Sequence, residues 1–159
     1  DGTVTIPKAW LRPGGERPDL EPLIAVLYRG LYEAVAAHSR LGVNVVVDVG
    51  HHDGYRTPLG ILPACARILH GLPALFVGVL CPVEVIMERR RATGWNAGWA
   101  AGDPIPPPVL RWQQAVHDPG VYDLTVDTSQ DSAPACAAAI RARLGVGPPP
   151  SALEQLALR

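Results

Sequence analysis

Apolar positions in the first half of the chain follow a helical period and then form a short continuous run. Residues 20–40 carry apolar side chains at helical spacing, and this pattern predicts an amphipathic helix. Gly42 is placed to end that helix as a C-cap glycine. Residues 43–49 then form a β-branched run typical of a buried parallel strand. Before the helix, residues 1–19 are rich in Gly, Pro and charge and predict a loop with a turn at Pro13-Gly14-Gly15.

The second half of the chain repeats the succession of helix and strand. The pattern predicts a helix over 58–70, a strand over 75–80, a helix from Pro82 into Arg89-Arg90-Arg91, a loop over 95–108, a short helix over 109–117, a strand over 122–126, a helix over 132–144 and a short terminal helix over 152–158. Strands that alternate with helices indicate an α/β fold with a parallel sheet and right-handed crossovers.

Composition narrows the class of protein. The 159 residues suit one domain, and 48% of them are hydrophobic. A formal net charge of −1 without a basic stripe argues against nucleic acid or a membrane surface as partner. No apolar run approaches the roughly 18 residues of a membrane span. Cys65, Cys81 and Cys136 are expected to be reduced core thiols, which indicates a cytoplasmic protein. The near-neutral charge makes a small molecule the expected partner.

Asp48 lies near the end of the first predicted strand, where ligands of open α/β sheets collect. Four apolar residues followed by aspartate form the usual Walker B strand, whose carboxylate supports magnesium, although the same residue could simply cap the following turn. His51-His52-Asp53 follow directly. They allow a zinc or manganese site, a loop that touches a substrate, or a solvated turn. Adjacent histidines on an extended segment point in opposite directions, which disfavours the metal.

A resemblance to a known family rests on several short stretches. The most specific are Arg111-Trp112-Gln113-Gln114-Ala115-Val116-His117 and Tyr122-Asp123-Leu124-Thr125-Val126-Asp127-Thr128-Ser129, with Val47-Asp48, Val79-Leu80-Cys81 and Glu88-Arg89 in support. Over most of residues 20–144 the chain resembles the chloramphenicol phosphotransferase family of P-loop kinases. The resemblance implies a three-layer α/β/α fold and transfer of the γ-phosphoryl group of ATP, with Mg²⁺, to a hydroxyl of a small molecule such as an antibiotic.

The resemblance also implies roles for particular residues. Asp48 would support Mg²⁺, Arg89 would act on the phosphates in catalysis, and Arg91 would bind the nucleotide. The loop Asp127-Thr128-Ser129 would run beside the adenine, and His51-His52-Asp53 would contact the acceptor. Two plainer interpretations stay open, because the arginines could form a solvated helix face and the loop could serve as an N-cap for the helix at Ser132. His117 and Tyr122-Asp123 are expected to hold the short helix against the last strand.

The chain also departs from the family pattern. Its one lysine, Lys8, has no glycine loop before it, so a Walker A motif is not in this sequence, and neither is a counterpart of the family's base aspartate. We therefore expect residues 1–145 to be the C-terminal part of a kinase domain and residues 146–159 to be a Pro-rich linker with a short helix. In the sheet of such a kinase, a central strand from an earlier segment would lie between the predicted strands over 43–49 and 75–80. The alternatives are a non-catalytic binding domain on a degenerate kinase scaffold and a metallohydrolase built on His51, His52 and Asp53.

Overall fold

The computed structural model describes residues 18–95 and 98–159, so the expected turn at Pro13-Gly14-Gly15 and Lys8 lie outside the described residues. After a 3-10 helix, Pro18–Leu20, the described elements are α1 (Glu21–Arg40), α2 (Ile61–Ile68), β1 (Val77–Leu80), α3 (Val83–Ala92), α4 (Pro107–Ala115), β2 (Leu124–Asp127), α5 (Ala133–Gly145) and α6 (Ala152–Ala157). None of the described helices combines the length and the apolar character needed to cross a membrane.

The core lies between α1 and α2. Helix α1 buries one face through Ile24, Tyr32 and Ala36, and these residues pack against α2 in a single cluster with Ile61, Cys65 and Leu69. Helix α6 covers α2 from another direction and buries Ala152 and Leu156. Gly42 ends α1 as expected, with a φ of +79° that favours glycine and an N–H that donates to the Ser39 carbonyl at 2.9 Å.

The sheet is smaller than the sequence predicts. Strands β1 and β2 pair in parallel, with Val77 opposite Leu124 and Leu80 opposite Asp127. The predicted strand over 43–49 is wrong, because in the described part of the chain this segment has no regular secondary structure and Val46 is 98% exposed. A β-branched run becomes a strand only where a neighbouring strand takes up its backbone hydrogen bonds. The result is a mixed α/β structure with a small parallel sheet, compatible with a P-loop kinase-like fold; the three-layer arrangement remains a prediction.

The other elements agree with the pattern except at their ends. Helix α2 is shorter than the predicted 58–70, because the Asp53 carboxylate accepts from Leu59 N and Gly60 N and holds the preceding residues in a turn. Helix α5 begins where Ser132 Oγ accepts from Ala135 N at 3.4 Å, a side-chain N-cap. The three cysteines are free thiols; Cys65 and Cys136 are buried as expected, whereas Cys81 is half-buried.

Asp123 joins the start of the sheet to the C-terminal helix. Its Oδ2 accepts from Phe76 N at 2.9 Å, and its Oδ1 accepts from Ser151 N at 2.7 Å and Ala152 N at 3.0 Å. Beside it, Tyr122 Oη lies 2.9 Å from His117 Nδ1 and so links the residue after α4 to the beginning of β2. The predicted role of His117 and Tyr122 agrees with this contact, whereas Asp123 bonds to Phe76 before β1 and to the start of α6 rather than to the short helix.

Candidate functional site

The carboxyl ends of β1 and β2 meet at one edge of the sheet, and the loop after β2 is fixed there. Asp127 Oδ1 accepts from Ser129 Oγ at 2.7 Å and from Ser129 N at 2.8 Å. These hydrogen bonds favour the charged carboxylate and hold the pKa of Asp127 below its usual value. Thr128 N donates to the Leu80 carbonyl at 2.9 Å and Thr128 Oγ1 to the same oxygen at 3.2 Å. The loop over 127–129 is therefore attached to the end of β1.

Arg89 reaches this loop from the last turn of α3. Its Nη2 donates to the Thr128 carbonyl at 2.6 Å, and its Nη1 donates to Thr128 Oγ1 at 3.1 Å and lies 3.7 Å from Cys81 Sγ. On the other side of the strand end, Gln113 Nε2 of α4 donates to the Cys81 carbonyl at 2.8 Å. The structure thus brings together Arg89 and the loop over 127–129, two parts of the site that the sequence places far apart.

The neighbouring arginines behave differently from Arg89. The Arg90 guanidinium carbon lies 5.7 Å from the centroid of the Trp95 ring, a cation-π arrangement on an exposed surface. Arg91 is exposed, and its side chain has no hydrogen bond or ion pair within the described part of the chain. Three consecutive arginines therefore have three different surroundings, as expected for side chains that point around a helix.

His51 belongs to the core around α1. Its Nε2 lies 2.9 Å from Tyr32 Oη, and the ring lies 5.1 Å from the Tyr28 ring, centroid to centroid. Tyr28 Oη in turn donates to the Gly50 carbonyl at 2.9 Å. Burial, with a smaller contribution from His52, lowers the pKa of His51 to about 4. The imidazole is neutral at physiological pH and positions the chain that follows it.

His52 and Asp53 point away from His51. The His52 ring stacks 4.3 Å from the Tyr55 ring and meets the Trp112 ring edge-on at 5.4 Å. The Asp53 carboxylate accepts hydrogen bonds from Leu59 N and Gly60 N, directly before α2. Glu21 Oε1 holds the same loop from α1 by accepting from Arg56 N at 2.9 Å. The three residues therefore do not converge on one point, and the described residues contain no group of three or more His, Cys, Asp or Glu that could hold a metal ion.

Asp48 is exposed in the segment between α1 and α2. Its carboxylate caps no turn, because it has no hydrogen bond or ion pair among the described residues. A free carboxylate is a suitable ligand for Mg²⁺, either directly or through water. The fit of the nucleotide is partial: the loop over 127–129 and the adjacent arginines suit a base and its phosphates, whereas a glycine-rich phosphate loop is not among the described residues.

The sequence of the chain is similar to that of a known protein family. The sequence profile of the chloramphenicol phosphotransferase-like proteins matches residues 4–145. The chain belongs to the chloramphenicol phosphotransferase-like family. Membership gives it a kinase-type phosphotransferase scaffold and indicates the use of a nucleotide, with Mg²⁺ as the expected companion ion. No curated protein and no solved structure matches the chain.

Sequence reasoning missed the residues that position the site in this family member. Tyr28 and Tyr32 lie one turn apart on the buried face of α1 and hold Gly50 and His51, and Gln113 holds the end of β1. The spacing of the two tyrosines on the same face as Ile24 was a usable signal, because a phenol on a buried face needs a polar partner. Gln113 offered no comparable signal, since a single amide on an amphipathic helix has many possible partners.

Proposed function

We propose that the protein is an ATP-dependent O-phosphotransferase that transfers the γ-phosphoryl group to a hydroxyl of a small molecule. The family match over residues 4–145 is the observation that carries this proposal. The contacts of Arg89 with Thr128 support it, because they place a guanidinium beside the loop at the carboxyl edge of the sheet. Ligands of parallel α/β sheets bind at this edge.

The residues of this chain would act by positioning and by charge neutralisation. Mg²⁺, when bound, neutralises phosphate charge. Asp48 would hold the ion or one of its waters, and the loop Asp127-Thr128-Ser129 would border the base. Arg89 and Arg91 would offer guanidinium groups to the phosphates, since planar guanidinium pairs well with phosphate oxygens. The loop with His51, His52 and Asp53 would border the acceptor. Antibiotics are the first acceptors to test, and we place the enzyme in the cytoplasm, where ATP is available.

The test uses the protein expressed from its full reading frame, with γ-labelled ATP, Mg²⁺ and a panel of hydroxyl-bearing antibiotics that includes chloramphenicol. Asp48→Asn is expected to lower kcat by roughly 100-fold, because the amide keeps the shape but loses the charge at the ion. Its unfolding midpoint should stay close to that of the wild type, since Asp48 is exposed. Glu154→Gln removes a charge from an exposed side chain of α6 and serves as control. Wild-type turnover in Asp48→Asn would contradict the role of Asp48.

A second candidate is a non-catalytic domain that binds a small molecule or a partner on a degenerate kinase scaffold. One contact favours it: the Arg89 guanidinium donates two hydrogen bonds to Thr128 within the protein, which leaves fewer N–H groups for a phosphate. Calorimetric titration with ATP and Mg²⁺ separates the two functions. A phosphotransferase binds the nucleotide and turns it over, whereas a degenerate scaffold binds the small molecule without consuming ATP.

A further inference from the structure

An open cleft of about 790 Å³ lies between the turn after His52 and the second half of α4. Its walls include Tyr55, Arg111, Gln114, His117, Asp118 and Pro119. The cleft is separate from the Arg89 contacts at the end of β2, and it adjoins the ring cluster of His52, Tyr55 and Trp112 through Tyr55. A small molecule in this cleft would therefore lie beside the loop that we assign to the acceptor.

Arg111 gives the cleft a positive charge that no described residue pairs with. Its side chain has no hydrogen bond or ion pair with any described residue. Asp118 also lies on the wall, but the two groups form no ion pair within the part of the chain that the structure describes. A guanidinium without a partner at the wall of a cleft is available to pair with an anionic group, and its planar fork suits a carboxylate.

Apart from Asp118, the remaining wall includes two rings that are held in place and one amide. The Tyr55 ring is fixed by its stack on His52. His117 is fixed by its contact with Tyr122, and burial lowers the pKa of its imidazole, which favours the neutral form. Gln114 contributes an amide that both donates and accepts hydrogen bonds. Flat walls, the Gln114 amide and a guanidinium without a partner among the described residues suit a planar molecule whose acidic group binds at Arg111, away from the Asp118 carboxylate.

We propose that this cleft holds the acceptor and that Arg111 selects acceptors that carry a carboxylate on a planar, apolar body. The proposal rests on the phosphotransferase function proposed above and narrows its substrate class to hydroxylated aromatic acids. Binding to Arg111 would hold the carboxylate and leave the hydroxyl free to face the nucleotide.

The first test measures binding without ATP, by calorimetric titration of the full-length protein with para-hydroxybenzoate and with its neutral counterpart, para-hydroxybenzamide. The acid is expected to bind about tenfold more tightly than the amide, because a charge-assisted hydrogen bond is stronger than a neutral one. Arg111→Gln should remove this preference, Arg111→Lys should keep part of it, and Arg141→Gln, the same change at an exposed arginine of α5, should leave it intact. Equal binding of acid and amide, or no measurable binding of either, would overturn the proposal.

Asp118 provides the opposing test. Asp118→Asn is expected to bind the acid at least as tightly as the wild type, since it removes a negative charge from the same wall. If Asp118→Asn loses the acid while Arg111→Gln keeps it, the selection by Arg111 is wrong.

The second test measures turnover of the hydroxy acid with ATP. Arg111→Gln should raise the KM for the acid about tenfold and leave the KM for ATP unchanged. If the acid binds as expected but no acceptor is phosphorylated, the phosphotransferase function fails and the acceptor role fails with it. If chloramphenicol is phosphorylated while the acid neither binds nor reacts, the function stands and this substrate class is wrong.

Discussion

Arg89 connects α3 with the loop after β2 through a bidentate contact with Thr128. This contact gives the residue a second role beside the one proposed on phosphate, because its loss would also release the loop over 127–129. We predict that Arg89→Ala lowers kcat by about 10- to 100-fold, the worth of one or two hydrogen bonds to a charged group. Arg90→Ala and Arg91→Ala, measured in the same steady-state assay, should have smaller effects. Three variants with the same kcat would mean that the arginines form only a solvated helix face.

His51 makes the stability of the protein depend on pH. Burial lowers its pKa in the folded state to about 4, below the value of 6.5 expected in the unfolded chain. The unfolded chain therefore binds more protons between these values, and stability must fall as the pH drops from 6.5 towards 4. The loss from this residue amounts to about 3 kcal/mol at most. His52, Tyr28 and Tyr32 surround the ring.

Urea denaturation at a series of pH values tests this dependence. His51→Phe keeps a ring of similar size but cannot take up a proton, so its unfolding free energy should fall less than that of the wild type across the same range. The variant should be less stable at neutral pH, because Tyr32 Oη loses its partner at Nε2. Parallel curves for the two proteins would show that other groups account for the acid sensitivity.

At the scale of elements, α1 follows from the sequence because its buried apolar residues lie on one side of the helix. The period of Ile24, Tyr32 and Ala36 fixes both the existence of α1 and its buried face, and Gly42 fixes its end. The strand prediction over 43–49 was wrong for a physical reason. These residues favour an extended conformation, but their sequence does not show whether a neighbouring strand is present to pair with them. In the site, motif residues such as Asp127 and Thr128 were predictable, whereas the contact of Thr128 with Arg89 depends on how α3 docks.

Gly78 allows β1 to pack against Tyr122, which lies two residues before β2. A Cβ at this position would lie 2.7 Å from the Tyr122 ring, so the ring would have to move away from His117. We predict that Gly78→Ala lowers the unfolding free energy by about 1–3 kcal/mol, the usual cost of overpacking. Gly30→Ala is the matched control in α1, where an added Cβ meets nothing within 4 Å and should stabilise the helix by up to about 1 kcal/mol. Chemical denaturation of both variants measures the difference, and an equally stable Gly78→Ala would contradict the close packing at Tyr122.

At the scale of the whole molecule, the described surface has an apolar region that its own fold leaves uncovered. Helix α1 exposes Leu23, Val26 and Leu31, with 65% of Val26 exposed. The segment that follows adds Val43 and Val46, the latter 98% exposed. An exposed apolar region beside backbone groups without strand partners favours association with other chains.

We therefore predict that the protein self-associates through this apolar region. The double variant Val26→Lys with Val46→Lys should reduce light scattering, because it places charge on the apolar region without touching the buried side of α1. Leu158→Lys, a change at a residue that is 90% exposed in the last residues of the chain, is the control and should leave the scattering unchanged. A protein that stays monomeric at the same concentration would show that the apolar region is an ordinary surface.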